Sequence, residues 1–276
     1  MYKYRDFVKN FSGTPQKKYG QNFLVEEFYL EKICKYSQIN ALDNIIEVGP
    51  GLGFLTEKIL DCSPNKLDCI EIDKNLYSNL KTRVQGRENV HLHNVDAMQY
   101  DFSTILNAES KIVANLPYNI SVPLLMRIAK DFVISPSMFV LLQKEVAERI
   151  CAKEGKKYGA VSVIMNFLFN TQQLFDVPPE SFLPAPKVNS TFIKIIPKSD
   201  ITERRKLVFK LEKLCKLAFS QRRKTFIKTL AQYNCKNISL ENLLEDMYIN
   251  KGDRPEEISV SQYVSLVSFL DKQKLI

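Results

Sequence analysis

At 276 residues, 45% hydrophobic and 25% charged, the chain has material for one large domain, or a large and a small one, around a well-filled core. Its 39 Lys and Arg against 31 Asp and Glu leave a net charge of +8, which favours an anionic partner without specifying one. There is no long apolar run, no apolar stretch in MYKYRDFVKNFSGTP, no C-x-x-C pair among six cysteines and only two histidines. Secretion, a membrane span and a metal site are therefore disfavoured, and a cytoplasmic location with reduced thiols is expected. The charge is also uneven. Residues 204–228 hold ten Lys or Arg and one Glu, and residues 1–20 hold five and one Asp, so the remainder is acidic.

In chain order, a basic leader precedes 23–39, where Phe23, Phe28, Ile33, Tyr36 and Ile39 recur at mostly helical spacing and predict a helix. Short apolar runs follow at 44–48, 66–72, 89–95, 111–115 and 138–143, separated by single helical patterns including GFLTEKIL, NLYSNLKTRV and VPLLMRIAKDF. Strands separated by single helices imply right-handed crossovers and a parallel, doubly wound α/β sheet with ligands at the C-terminal strand ends. Beyond residue 150 the pattern predicts a loop over 153–159, a buried helix over AVSVIMNFLF, and two strands flanking the proline-rich 178–187. From Thr202 it is helical to the end. We therefore expect a catalytic domain over 1–199 and a small all-helical domain over 200–276, joined at PKSD.

The first constellation with chemical meaning is IIEVGPGLGFLT, 45–56. Gly49, Gly51 and Gly53 between a strand and a helix let the backbone approach a ligand, although a tight turn also needs glycine for steric reasons. The spacing differs from the dinucleotide G-x-G-x-x-G, and Glu47 beside it would repel a pyrophosphate. An acid there suits a cationic ligand such as S-adenosylmethionine. Glu71, ending the second strand, is placed either as a surface acid or to accept hydrogen bonds from ribose hydroxyls. Asp96, ending the third, can accept from an adenine amino group between the apolar Ile72 and Ala97. Three successive strand ends with suitable groups outweigh any one alone.

The fourth strand ends in NLPY, 115–118. An exocyclic adenine amine is a weak nucleophile because its lone pair is delocalised into the ring. The Asn115 side-chain oxygen and the Leu116 carbonyl can accept its two hydrogens, drawing the nitrogen toward tetrahedral geometry. Pro117 fixes the backbone, and Tyr118 offers a face for an extruded base, worth about 1–3 kcal/mol. The chemistry this suggests is methyl transfer, catalysed by positioning and electrostatics. His91 and His93, without ligand partners, are expected to be structural.

Together KKYGQNFL, EVGPGLGFLT, Glu71, Asp96, NLPYNIS, LLQKEVAERI, KKYGAVSV, VPPESFLPAPKVNST and FSQRRKT resemble the rRNA adenine N6,N6-dimethyltransferases of the KsgA type, from about Lys17 to Tyr263. The resemblance implies a Rossmann-like class I methyltransferase sheet with a small helical C-terminal domain. It also implies an enzyme that uses S-adenosylmethionine to dimethylate two adjacent adenosines in the 3′-terminal hairpin loop of 16S rRNA, within an immature 30S particle. Carried over by motif, Asn22, Leu24, Gly49, Glu71, Asp96 and Asn115 contact the donor. Asn115, Leu116 and Tyr118 hold the target adenine, and Phe182 sandwiches it.

The basic segments agree with an RNA partner. Lys17 and Lys18 would face phosphate from a leader folded over the donor, unless the leader is a disordered tail. In 204–228, Leu207, Leu211, Leu214, Leu217 and Ala218 form a helical core stripe, so Lys206, Lys210 and Lys213 are as readily a solvated face. Arg222, Arg223 and Lys224 cluster beyond it and are the expected phosphate contacts, in a concave groove between the domains. The rival readings are a 23S rRNA adenine methyltransferase of the macrolide-resistance type and a non-catalytic assembly factor on the same fold. The VPPESF and FSQRRKT segments favour the 16S dimethyltransferase over the first rival, and the intact NLPY favours it over the second. A monomer is expected, since no long exposed apolar stripe is evident.

Overall fold

The computed structural model describes residues 3–10, 20–132, 134–221, 223–231 and 239–276. Lys17, Lys18 and Arg222 lie outside them. Helix α1 (Lys3–Asn10) precedes a two-residue strand, β1 (Phe23–Leu24), and α2 (Glu27–Ser37). The helix expected over 23–39 is therefore shortened at its start. Leu24 and Phe23 pair antiparallel with Phe182 and Leu183, the later strand β8, and this backbone pairing overrides the helical spacing of Phe23.

Next come β2 (Asn44–Val48), α3 (Phe54–Asp61), β3 (Lys66–Ile70), α4 (Lys74–Arg83), β4 (Val90–His93), β5 (Ser110–Asn115), α5 (Ser121–Asp131) and β6 (Ser137–Gln143). Each strand matches an apolar run of the sequence. Asp73 caps α4 by accepting from the Asn75 and Leu76 amides, which explains why β3 stops at Ile70 and the chain turns there. The helical stretch expected near FSTIL is one short 3-10 turn, Phe102–Thr104.

After α6 (Lys144–Cys151) and α7 (Ala160–Leu168), strands β7 (Phe169–Val177) and β9 (Ser190–Pro197) return to the sheet, while β8 (Phe182–Leu183) between them pairs with β1 in a separate two-stranded ladder. The order is β4-β3-β2-β5-β6-β9-β7. The first five strands are parallel and β9 runs antiparallel to β6. The chain winds outward from β2 through β3 to β4, then restarts on the other side of β2 with β5. That reversal opens a crevice at the C-terminal ends of β2 and β5, where open α/β sheets bind ligands. Ile45, Leu67, Val113, Phe139 and Leu141 of the sheet pack in one core cluster with Leu30, Ile33 and Ile59 of the helices.

Two compact units emerge, Met1–Ala147 with Gln172–Pro197, and Glu148–Thr171 with Lys198–Ile276. The expected joint at PKSD coincides with the third and last crossing between them, but 148–171 group with the C-terminal helices. The reason is α7, which buries Val163, Ile164, Met165, Phe167 and Leu168 and so needs apolar cover on several sides. It packs with α8 (Ile201–Ser220) and α11 (Val260–Lys272). In α8 the buried residues are Val208, Leu211, Leu214, Cys215 and Ala218. Leu207 and Leu217, expected in the stripe, are only half-buried. Helices α9 (Phe226–Leu230) and α10 (Leu240–Asp246) complete this unit, where the Phe226 amide donates to Asp253 O at 2.7 Å. Among the described residues no helix is long and apolar enough to cross a membrane.

Candidate functional site

A cavity of about 300 Å³ opens in the first unit, within the range of small-molecule sites. Five segments line it: 20–24, the turn after β2, the end of β3 with Glu71 and Ile72, Val95 to Ala97 after β4, and 115–120 after β5. Asn22, Leu24, Gly49, Gly51, Glu71, Ile72, Asp96, Ala97, Asn115, Leu116 and Tyr118 all lie on its wall.

The turn after β2 needs its glycines. Gly51 has φ +59°, and a Cβ there would come within 2.9 Å of the Phe23 ring. Gly49 has φ +69°, and its Cβ would press on the Pro117 ring at 3.2 Å. The turn thus lies directly against both the leader strand and NLPY. One of its amides is used by the next strand end: Gly51 N–H donates to Glu71 Oε2 at 3.0 Å, while from the turn after β3 Asp73 N–H donates to Glu71 Oε1 at 2.9 Å. These bonds fix the carboxylate and oppose the burial that pushes its pKa up. Each oxygen retains a second lone pair for a ligand hydroxyl.

Glu47 differs from the sequence expectation. Its Oε2 accepts from the Thr56 hydroxyl of α3 at 2.6 Å, and the residue is 1% exposed. Burial pushes its pKa up to about 8, against lowering by the bonds from Thr56 and Cys69. At neutral pH the group is mostly protonated, so in the ligand-free protein it contributes a hydrogen-bonded acid rather than a fixed negative charge. The native state holds a proton that the unfolded chain releases above about 4.5. Stability is therefore lost as pH rises from there through about 8. Glu47→Gln removes this slope. In urea unfolding the variant is expected to gain on the parent by a few kcal/mol between pH 6 and 9, on a scale of about 1.4 kcal/mol per pKa unit.

Asp96 holds the next wall by accepting the Met98 amide at 2.8 Å. Across the cavity the Asn115 Nδ2 donates to Asn22 O at 3.0 Å, which assigns the amide orientation and leaves Oδ1 as its acceptor. The Leu116 amide donates to Leu141 O at 3.2 Å, extending the β5–β6 register by one residue. The Tyr118 hydroxyl shares a 2.6 Å hydrogen bond with the buried Ser190 hydroxyl, which sets the plane of its ring.

Phe182 is placed elsewhere. Its ring is 1% exposed in the core cluster, and β8 braces β1, with Val25 N–H donating to Ser181 O at 2.8 Å. It therefore supports β1 rather than lining the cavity. In the second unit Lys206 pairs with Glu203 at 2.6 Å and Lys210 with Asp271, so these two belong to a neutralised surface. Arg223 and Lys224 are exposed just past α8. His93 pairs with the buried Asp68 at 2.9 Å.

Sequence reasoning missed two braces of the cavity. Arg5 of α1 pairs with Glu26 beside β1 at 3.0 Å and donates to Glu180 O before β8, while Tyr4 is buried with its ring 4.5 Å from that of Phe54. Arg127 of α5 reaches two carbonyls of the segment after β4. Neither arginine carries a local signal, because its partners are distant in sequence.

Residues 13–272 match the family described as Ribosomal RNA adenine dimethylase. The Ribosomal RNA small subunit methyltransferase A of Legionella pneumophila (strain Lens) is 40% identical over 258 residues, 93% of this chain and 98% of that protein. The crystal structure of a dimethyladenosine transferase from Plasmodium falciparum matches with a TM-score of 0.79 at 25% identity, over 92% of this chain and 98% of that one. The 23S rRNA methyltransferase ErmE matches with a TM-score of 0.69 at 20% identity, over 91% and 100%, a likeness of fold.

Proposed function

The chain belongs to the ribosomal RNA adenine dimethylase family, and from that premise we propose that it dimethylates N6 of two adjacent adenosines in the 3′-terminal hairpin loop of 16S rRNA, in an immature 30S particle. The family and fold imply S-adenosylmethionine as the methyl donor. The observation that carries the proposal is the Asn115 amide, whose nitrogen is committed to Asn22 O so that its oxygen is the group left to accept from an incoming amine.

The cavity fits that donor. Glu71 would accept from the ribose hydroxyls, Asp96 from the adenine amine, and Ile72 and Ala97 would flank the base. Asn22, Leu24, Gly49, Gly51 and Asn115 would enclose the remainder. When bound, the donor supplies an electrophilic methyl group on a sulfonium. Asn115 Oδ1 and the Leu116 carbonyl accept the two amine hydrogens and withdraw the nitrogen lone pair from the ring, and Pro117 holds that carbonyl in place. Tyr118, locked by Ser190, supports the extruded base. Phe182 acts by bracing β1.

RNA contacts are assigned to Arg223 and Lys224 of the described residues, with Arg222, Lys17 and Lys18 from the adjoining basic segments. Replacing Arg223 and Lys224 together by Ala is expected to weaken RNA binding evenly across sequences. It should also reduce the slope of log K against log salt by about 1.5, near 0.7–0.9 for each phosphate no longer neutralised. Filter binding at three salt concentrations measures it, and an unchanged slope rejects the assignment.

The function itself is tested by incubating the protein with labelled donor and either immature 30S particles or naked 23S rRNA, then mapping methylated adenines by mass. Label in two adjacent adenines of the 16S 3′ hairpin is expected. Label confined to 23S RNA defeats the proposal.

A further inference from the structure

The segment 94–100 carries Asp96 and Ala97 on the cavity wall beyond β4; the ladder ends at its start, where Val95 N–H donates to Glu71 O at 3.2 Å and Asn94 Nδ2 to the same oxygen at 2.8 Å. Its own bonds make a single turn, with the Gln99 and Tyr100 amides donating to Asp96 O at 2.9 and 3.0 Å. That turn ends in carbonyls that its own backbone does not satisfy. Arg127 meets them: its Nη1 donates to Ala97 O at 3.0 Å and to Tyr100 O at 2.8 Å. The guanidinium lies 5.2 Å from the Phe132 ring centroid and 5.9 Å from that of Phe102, both rings buried. Set against two buried rings that meet edge to face 5.6 Å apart, it is held by shape as well as by charge.

What matters is where Arg127 comes from. Helix α5 starts at Ser121, immediately after the 115–120 cavity segment. The two are continuous: Ile120 N–H donates to Pro117 O, Leu124 N–H to Ile120 O, and the Ser121 hydroxyl to Tyr118 O. Arg127 stands two helical turns further on, about 10 Å along the axis. The helix that follows directly on the 115–120 segment therefore grips the opposite wall.

Resting on the proposed function, we infer that Arg127 is a positioning residue that fixes the donor's adenine wall relative to the Asn115–Tyr118 acceptors. It touches neither substrate. Its removal acts through Asp96 and Ala97, so it costs donor affinity and recognition of the adenine edge, not the acceptor chemistry.

The test is calorimetric titration of the full chain with S-adenosylhomocysteine and with its 6-oxo counterpart, S-inosylhomocysteine. Arg127→Ala is expected to weaken the first about tenfold, the scale of one lost charge-assisted hydrogen bond, and to shrink the preference for the first over the second. In steady state the donor KM rises by the same factor, while kcat stays within about twofold. Arg127→Lys falls between, because an ammonium keeps the charge and its N–H donors but not the planar group that packs against the two rings, and it carries the same titration should the alanine variant not fold. Unchanged donor affinity overturns the inference. So does an unchanged preference with kcat, RNA affinity and melting temperature falling together, the pattern of a merely structural residue. Because the titration contains no RNA, a parent protein that binds S-adenosylhomocysteine yet leaves 30S particles unmethylated defeats the proposed function and not this role.

Discussion

Replacing Asn115 by Ala is expected to lower kcat for methylation of 30S particles by about a hundredfold to a thousandfold, the usual effect of deleting one preorganised electrostatic partner of a reacting group. The amine has two hydrogens to place, and the proposed acceptors for them are Asn115 Oδ1 and the Leu116 carbonyl. With one gone, the nitrogen keeps its lone pair in the ring for more of the approach. The loss belongs to kcat because these bonds strengthen as the nitrogen becomes tetrahedral. Donor affinity changes less, since Asn115 holds the 20–24 segment through a single bond to Asn22 O at 3.0 Å. Asn115→Asp is expected to be nearly as poor, because a carboxylate facing the Asn22 carbonyl repels it where the amide donated. Single-turnover rates with saturating donor measure the effect, and undiminished methylation by the alanine variant would show the assigned chemistry to be wrong.

Glu71→Ala is expected to weaken S-adenosylhomocysteine at least about a hundredfold, as two charge-assisted bonds to ribose hydroxyls are lost, each worth about 1.5–3 kcal/mol. It should also cost stability. The Gly51 and Asp73 amides both donate to this carboxylate, and removing it strands two donors at a buried position, at about 1–3 kcal/mol each. Glu71→Gln separates the two losses, because it keeps one acceptor oxygen while its amide opposes the other N–H. Since burial raises the Glu71 pKa and hydroxyl donors favour its charged form, donor affinity in the parent falls on acidification. The alanine variant lacks that dependence. Titration calorimetry at two pH values, with urea unfolding alongside, reads both effects. Affinity within threefold of the parent would remove Glu71 from the ribose.

The features legible in the sequence are those written in contiguous residues. The five parallel strands each coincide with an apolar run, and the turn at 49–53, Glu71, Asp96 and NLPY each adjoin a strand end. The doubly wound order brings those ends to one crevice without further information. Phe23 reads as helical because its spacing fits, yet it pairs with Leu183 across most of the chain. Local periodicity contains nothing about such a partner. The same limit hides the grouping of 148–171 with the C-terminal helices, which depends on α7 needing apolar cover from α8 and α11.

The sequence by itself therefore determined the class of fold and the chemical groups at the strand ends, because strand, turn and functional residue are neighbours along the chain. It also located the basic clusters. Only the tertiary structure decided how those groups are supported and in what state. It buried Phe182 in the core beside β1, committed the Asn115 amide nitrogen to Asn22 O, and set Arg127 against the carbonyls of Ala97 and Tyr100. It also withdrew Glu47 from water so that it holds its proton to about pH 8. Burial and contact between distant residues set each of these, and neither is a property of local sequence.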